Sequence, residues 1–384
     1  MKSIARKRIC FVTGTRAEYG LMRSTLAAIS QHPHLELQLV VTGMHLHRRY
    51  GRTIDDVRRD GWTIGATVPW PLGDGSPVAM ASHTGVAMGK LANVYDRLQS
   101  DVVLVVGDRV EAFAAAAAGQ VSQRVVAHVH GGDRAAGQID DALRHAITKL
   151  AHVHFPATPA SAERIAKLGE DRWRIHRVGA PGIDGIATAA ASMAELRERF
   201  PGLREGRFAL IVLHPTDASG RSEASRATIV LRATRAAGVE QVVVIYPNSD
   251  PGSQPIIRCW IDRQADIDFL LPDAPRAVFL GLMRRCAVMV GNSSAGIIEA
   301  GALGTPVVNV GPRQAGRERG ANVVDVGFRL TEITRAVRNA FAAGRSGRAD
   351  KTHPYGGGQA GQRIAVALHR LKINDRLMRK LITY

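Results

Sequence analysis

Short apolar runs recur along this chain, each closed by a small or polar turn and followed by an amphipathic stretch, and no other feature limits its fold so tightly. The run at 8–12 ends in Thr13-Gly14-Thr15-Arg16 and gives way to helical spacing through Leu21, Leu26 and Ile29. A second run at 35–41 ends at Thr42-Gly43. A third, at 101–106, ends at Gly107-Asp108-Arg109 and precedes the alanine-rich stretch 112–118, a strong helix former. A fourth, at 125–129, ends at His130-Gly131-Gly132-Asp133. Strands alternating with helices predict a parallel sheet covered by helices on both faces.

The pattern breaks over 178–207 and then restarts. Runs at 208–213, 241–245, 287–290 and 306–310 lead into His214-Pro215, Tyr246-Pro247-Asn248, Gly291-Asn292-Ser293-Ser294 and Gly311-Pro312-Arg313. A chain of 384 residues suits two such domains better than one. The expected fold is therefore α/β, two Rossmann-like doubly wound domains facing across a cleft, over residues 1–182 and 183–358. A polar helix over 187–200 lies near the boundary, and a long terminal helix from 359 toward 381 packs back on the first domain. In doubly wound sheets ligands sit outside the carboxyl ends of the strands, so two facing carboxyl edges suit a large polar substrate.

Composition removes other classes. No apolar run approaches the roughly 18 residues of a membrane span, and the apolar stretch after the basic N-terminus is too short for a signal-peptide core, so the cytoplasm is the expected compartment. Cys10, Cys259 and Cys286 have no metal-type spacing and read as small buried residues. The net charge of +17 comes from scattered arginines without a basic block, and aromatics are only 5%, which favours a polyanionic small ligand over nucleic acid or membrane.

Three stretches could carry chemistry. Gly14-Thr15-Arg16-Ala17-Glu18 offers helix-start amides and a guanidinium to a phosphate, yet reads equally as an ordinary strand-to-helix turn. The segment 291–299 is more specific: a small-residue turn whose amides and hydroxyls sit at a helix start is a diphosphate cradle, with Glu299 one turn in where a carboxylate can take ribose hydroxyls. The stretch 107–154 is dense in titratable groups: Asp108, His130, Asp133, Asp140 and Asp141 stand at three neighbouring strand-end loops, where crowded carboxylates can divide into an acid and a base. A metal bound by histidines 128, 130, 145, 152 and 154 is the weaker reading, because no recognised metal-ligand frame is present; His152 and His154 read as core residues.

Together these residues resemble the UDP-N-acetylglucosamine 2-epimerase family, in particular its hydrolysing branch from sialic-acid and related nonulosonate pathways. The resemblance runs through Gly14–Gly20, Thr42-Gly43-Met44-His45, Gly107-Asp108-Arg109, 128–132, 139–152, His214-Pro215, Tyr246-Pro247-Asn248, 292–299, 313–318 and Pro354-Tyr355-Gly356. It implies a GT-B-like fold, a homodimer, and no metal or other cofactor. The implied reaction on UDP-GlcNAc eliminates UDP to a glycal and then adds water with inversion at C2, giving N-acetylmannosamine. Carried over position by position, Asp108 and Asp140 are the acid/base carboxylates. Arg16, His214, Ser293, Ser294, Glu299 and Arg313 hold the nucleotide and diphosphate, with His214 counted among the catalytic groups at the leaving phosphate. His45, Arg109, His145 and Asn248 are secondary contacts.

The chain departs from the family pattern at His130, where some relatives have a catalytic glutamate, so the third acid/base group is either His130 or Asp133. The loop 133–138 and Gly357 also depart, which leaves room for a related hexosamine such as a diacetamido trideoxy sugar. A non-hydrolysing epimerase and, more remotely, a GT-B glycosyltransferase are the competing readings.

Overall fold

The computed structural model describes residues 6–48, 52–70, 77–134, 139–217, 220–247, 252–343 and 353–384. It divides into two compact units: Met1–Asp133, Ile139–Asp184 and Tyr355–Tyr384 form the first, and Arg134–Gln138 with Gly185–Pro354 the second.

The first unit is built on strands β1 (Lys7–Thr13), β2 (Leu35–Thr42), β3 (Ile64–Val68), β4 (Val102–Val106), β5 (Val125–Val129) and β6 (Val153–Phe155). They form one parallel sheet in the order β3-β2-β1-β4-β5-β6. Alternate residues of the central strands enter different cores: Ile9 and Phe11 pack on one face with Leu104 and Val106, while Cys10 and Val12 pack on the other with Val103 and Val105. Both faces are buried, which is why β4 reads as an unbroken apolar pentamer and β5 is interrupted only by the buried His128.

The second unit repeats this arrangement with β7 (Phe208–Val212), β8 (Gln241–Ile245), β9 (Phe269–Leu271), β10 (Val288–Gly291), β11 (Val307–Val310) and β12 (Val323–Val326). Its sheet is also parallel, in the order β12-β11-β10-β7-β8-β9. Read outward from β7, the succession matches that of the first sheet from β1. The two doubly wound sheets expected from the sequence are therefore present.

Two helices differ from expectation. The single helix over 187–200 is two short ones, Ile186–Ala189 and Met193–Arg199; Ser192 starts the second with a capping box in which Ser192 and Glu195 satisfy each other's backbone N–H groups. The long terminal helix stops at Arg370. The Lys7 ammonium donates to the carbonyls of Leu368, His369 and Leu371 at 2.7, 3.0 and 2.5 Å and so closes the helix end. Asp184 accepts from Ala360 and Gly361 N–H at 3.0 and 2.7 Å at the other end. Asn374 then caps a separate turn, Asp375–Met378, whose Leu377 and Arg376 carbonyls accept from the buried Arg174 at 2.8 and 2.9 Å. The terminal helix lies against Arg16–Gln31, closely enough that a Cβ on Gly361 would sit 2.7 Å from the Ser24 carbonyl carbon.

Candidate active site

In both sheets the chain direction across the sheet reverses between the first and fourth strands, β1 and β4 or β7 and β10, and ligands of doubly wound sheets bind at the carboxyl ends flanking that point. The stretches with the densest chemistry sit at these ends.

In the first unit Asp108 follows β4 directly after Gly107, and its carboxylate is ion-paired with the buried guanidinium of Arg144. Arg144 belongs to the helix Asp140–Leu150. Asp140, Arg144 and Thr148 are spaced by four and share one helix face. The Thr148 hydroxyl lies 3.3 Å from His128 Nδ1, and His128 Nε2 lies 2.8 Å from the Gly107 carbonyl, so the helix is tied to the loop that carries Asp108. Asp140 stands one turn above Arg144 at this edge. His145, about 100° round the helix from Arg144, pairs instead with Asp141 at 3.4 Å.

The end of β5 departs from ordinary backbone. His130 has φ +62°, a left-handed conformation that costs a side-chain-bearing residue on the order of 1–2 kcal/mol. Its Nδ1 lies 3.1 Å from Asp133 Oδ2, and Asp133 Oδ1 accepts from the Ser161 hydroxyl at 2.7 Å. Glycines make this possible: a Cβ on Gly132 would lie 2.3 Å from the Ser161 carbonyl oxygen, and one on Gly131 would lie 2.9 Å from His128 Nδ1.

The turn after β1 uses its amides internally. Glu18 Oε2 accepts from Gly14 and Thr15 N–H at 2.8 and 3.0 Å, while the Thr15 hydroxyl accepts from Glu18 N–H at 3.3 Å. Two of the amides expected to face a phosphate are thus spent on a capping box, and Arg16 is ion-paired with Asp56 at 3.6 Å. A second buried carboxylate, Glu111, lies beside Gly14 and Gly43 and accepts from Arg109 at 3.3 Å. Burial and then the Glu111 charge push the Glu18 carboxyl up to about 7, against the pull of Arg109 and the two amides. His45 is fully buried, its ring nitrogens 3.1 and 2.6 Å from the Thr13 and Thr53 hydroxyls.

At the edge of the second unit, a Cβ on Gly291 (φ +136°) would lie 2.1 Å from the Val212 carbonyl oxygen. The next residue, Asn292, accepts from His214 N–H at 2.7 Å and donates to the His214 carbonyl at 2.9 Å, joining the loops after β7 and β10. Ser293 caps the helix Ser294–Leu303, accepting from Ala295 N–H at 3.4 Å. Arg313 and Gln314 donate to the Asn292 carbonyl at 3.2 and 2.9 Å, which brings a guanidinium to the positive end of that helix. His214, Ser293, Ser294 and Arg313 thus share one edge. Glu299 is buried and ion-paired with Arg276, so it has a structural partner that the sequence did not reveal. Glu223, fully buried, organises the loop beyond Pro215 by accepting from Thr216 and Asp217 N–H at 3.0 Å each. Asn248 lies outside the described residues.

Sequence reasoning assigned no role to Arg144, Ser161 or Asn292 and did not pair Glu18 with Glu111. The four-residue step from Asp140 to Arg144 on a helix was a usable signal; nothing local marks Ser161, because its partner Asp133 is 28 residues away.

Burial holds the histidines of the first unit neutral: His128 is lowered to about 3, and His45, His152 and His154 to about 4, from an ordinary 6.5. Below that ordinary value the unfolded chain binds protons that the folded chain refuses, so stability is complete near neutrality and is lost as the pH falls from 6.5 toward 4. A group shifted to about 4 accounts for about 2 kcal/mol at about pH 5. Even half the sum over four histidines lowers the thermal midpoint by about 10 °C between about pH 7.5 and about pH 5. A midpoint equal at both pH values would refute this.

A family model described as UDP-N-acetylglucosamine 2-epimerase matches residues 27–369. A UDP-N,N'-diacetylbacillosamine 2-epimerase (hydrolyzing) from Legionella pneumophila is 35% identical over 382 residues, covering 98% of this chain and 100% of that protein. A UDP-N-acetylglucosamine 2-epimerase from Neisseria meningitidis is 34% identical over 339 residues, covering 88% of this chain and 89% of its own. Among solved structures, a UDP-GlcNAc 2-epimerase from Neisseria meningitidis bound to UDP-GlcNAc superposes with a TM-score of 0.79 at 20% identity, covering 94% of this chain and 99% of that one, a likeness of fold. With two parallel doubly wound sheets, polar strand-end loops in both, and a match over most of its length, the chain belongs to the UDP-N-acetylglucosamine 2-epimerase family.

Proposed function

We propose that this protein is a hydrolysing 2-epimerase that converts UDP-GlcNAc to free N-acetylmannosamine and UDP. The second unit's edge, with Ser293, Ser294, His214 and Arg313, would take the nucleotide diphosphate, because helix-start amides, hydroxyls and a guanidinium complement its charge. The first unit's edge, with Asp108 and Asp140, would do the proton chemistry. In the first step a carboxylate removes the C2 proton, the C1–C2 double bond forms, and UDP departs with the C1–O pair. In the second, water bonds to C1 and C2 gains a proton on the opposite face. Inversion needs two proton-transfer groups, and the observation that carries the reading is such a pair on neighbouring strand ends: the Asp108 carboxylate with Arg144, and the His130 imidazole with Asp133.

The Legionella relative aligns along its whole length, which favours a second substrate of the same class, a 2,4-diacetamido-trideoxy hexose on UDP. Incubation with UDP-GlcNAc and, separately, UDP-N,N'-diacetylbacillosamine tests both. We expect free 2-epimerised sugar and UDP from at least one, with the same yield after EDTA treatment. A product still joined to UDP would instead make the protein a non-hydrolysing epimerase, and turnover that requires an added acceptor would make it a glycosyltransferase.

A further inference from the structure

Three histidines meet at the amino edge of the first sheet, the edge opposite the candidate active site. His32 and His34 flank Pro33 in the turn between the helix Arg16–Gln31 and β2, and His369 stands in the last turn of the terminal helix, Ala360–Arg370. Their ring centroids lie 4.6 Å apart for His32 and His369, 5.0 Å for His34 and His369, and 5.9 Å for His32 and His34. Two imidazoles that share a tetrahedral zinc ion have centroids about 5 Å apart, given the length of a Zn–N bond. The backbones that carry the rings are tied to one another through Lys7. Its N–H donates to the His34 carbonyl at 2.9 Å, and its ammonium donates to the His369 carbonyl at 3.0 Å. The turn itself is closed by His32 N–H donating to the Ile29 carbonyl at 3.1 Å and Leu35 N–H to the His32 carbonyl at 3.2 Å. His34 N–H donates to His32 Nδ1 at 3.2 Å, so Nε2 is the nitrogen that His32 can give to a ligand. The rings are stacked or tilted, and three donor atoms do not yet converge on one point among the described residues. His32 and His34 are half-buried and His369 is exposed, so rotation about their side-chain bonds is what closes the set. Burial, and then the charges of His369 and His34, hold the His32 imidazole below its ordinary value, which disfavours protons in the cluster. A cation is favoured at the carboxyl end of a helix, and the Lys7 charge is taken up by three carbonyls there.

We propose that His32, His34 and His369 bind one zinc ion, with water as the fourth ligand, and that the ion clips the last turn of the terminal helix to the turn before β2. Neutral imidazoles suit zinc, which accepts three of them in a tetrahedral set. The ion joins two stretches far apart in sequence, so it fastens the terminal helix to the first sheet. It takes no part in the reaction, because Asp108, Asp140 and their neighbours occupy the other edge of that sheet. Removing zinc therefore opens the clip and leaves turnover unchanged, whichever reading of the reaction holds.

The probe is Zn²⁺ alone, titrated by calorimetry at about pH 7.5 into the full chain, stripped with EDTA, dialysed and free of any polyhistidine tag. The native protein is expected to bind Zn²⁺ at this site with a dissociation constant of about 10 μM or less. His32→Ala, His34→Ala and His369→Ala are each expected to weaken that binding at least about 10-fold. His83→Ala, in the separate helix Pro77–Arg97, is expected to leave it unchanged. Zinc-edge X-ray absorption is expected to report three imidazole ligands in the native protein. Zinc at about 100-fold over its dissociation constant is expected to raise the native thermal midpoint by about 3 °C and that of His369→Ala by less than about 1 °C. His369 is exposed, so its variant keeps the fold and decides the matter even where a half-buried position does not tolerate alanine. A native protein that binds no zinc at about 100 μM, or a His369→Ala protein that binds it as tightly as native, overturns the proposal.

Discussion

Asp108→Asn is expected to lower turnover by at least about 10³-fold while the affinity for UDP changes by less than about threefold. Asparagine keeps the size of the side chain but can neither accept the C2 proton nor neutralise Arg144, whose guanidinium is 2% exposed. Removing one partner of a buried ion pair typically costs about 3–5 kcal/mol; Asp108 is 24% exposed, so the lower end of that range applies. Thermal denaturation would register this loss independently of turnover. UDP affinity survives because the proposed nucleotide ligands belong to the other unit's edge, at Ser293, Ser294 and Arg313. Loss of UDP binding in proportion to turnover would make Asp108 a nucleotide ligand, and unchanged turnover would remove it from the chemistry.

The central strands were legible because both faces are buried, leaving apolar pentamers such as Val102–Val106 that end abruptly in polar turns. Three of the four edge strands, β3, β9 and β12, were not. Each is short and only partly buried at the sheet margin, as in Val323–Val326, where no residue is fully buried, so no long apolar run marks them. The terminal helix read too long because its amphipathic spacing continues past Arg370; the stop is imposed by Lys7, more than 360 positions away.

The strand-end motifs pointed to loops that the structure places at the carboxyl edges of the two sheets, where doubly wound sheets bind ligands. Local motif reading was incomplete where a carboxylate also serves the fold. Glu18 looked like part of an anion-binding turn, yet it occupies that turn's amides itself. Glu299 read as a ribose ligand, and Arg276, 23 residues earlier, is ion-paired with it as well. For Glu299 the partner is set by packing, so spacing carries no trace of it, whereas for Glu18 the Thr15-x-x-Glu18 spacing of a capping box was a usable signal.

Gly291→Ala should be as damaging to the second unit as Asp108→Asn is to turnover. Gly291 pairs with Val212 across β10 and β7, at the point where their order reverses. With φ at +136°, an added methyl would be driven to 2.1 Å from the Val212 carbonyl oxygen, an atom fixed in the sheet. Relief requires the backbone to leave the left-handed region or the strands to part; the two penalties together come to about 4 kcal/mol. Either movement shifts Asn292, which joins the loops after both strands, and with it the helix start at Ser293. UDP affinity is therefore expected to fall at least about 100-fold, or about 2.8 kcal/mol, and the urea midpoint to fall with it. Gly357→Ala provides the control: no atom lies within 4 Å of its added methyl and its φ is not in the left-handed region, so midpoint and affinity should stay within about 0.5 kcal/mol of native. A Gly291→Ala protein with native midpoint and native UDP affinity would show that this close approach neither holds the second sheet together nor positions the nucleotide.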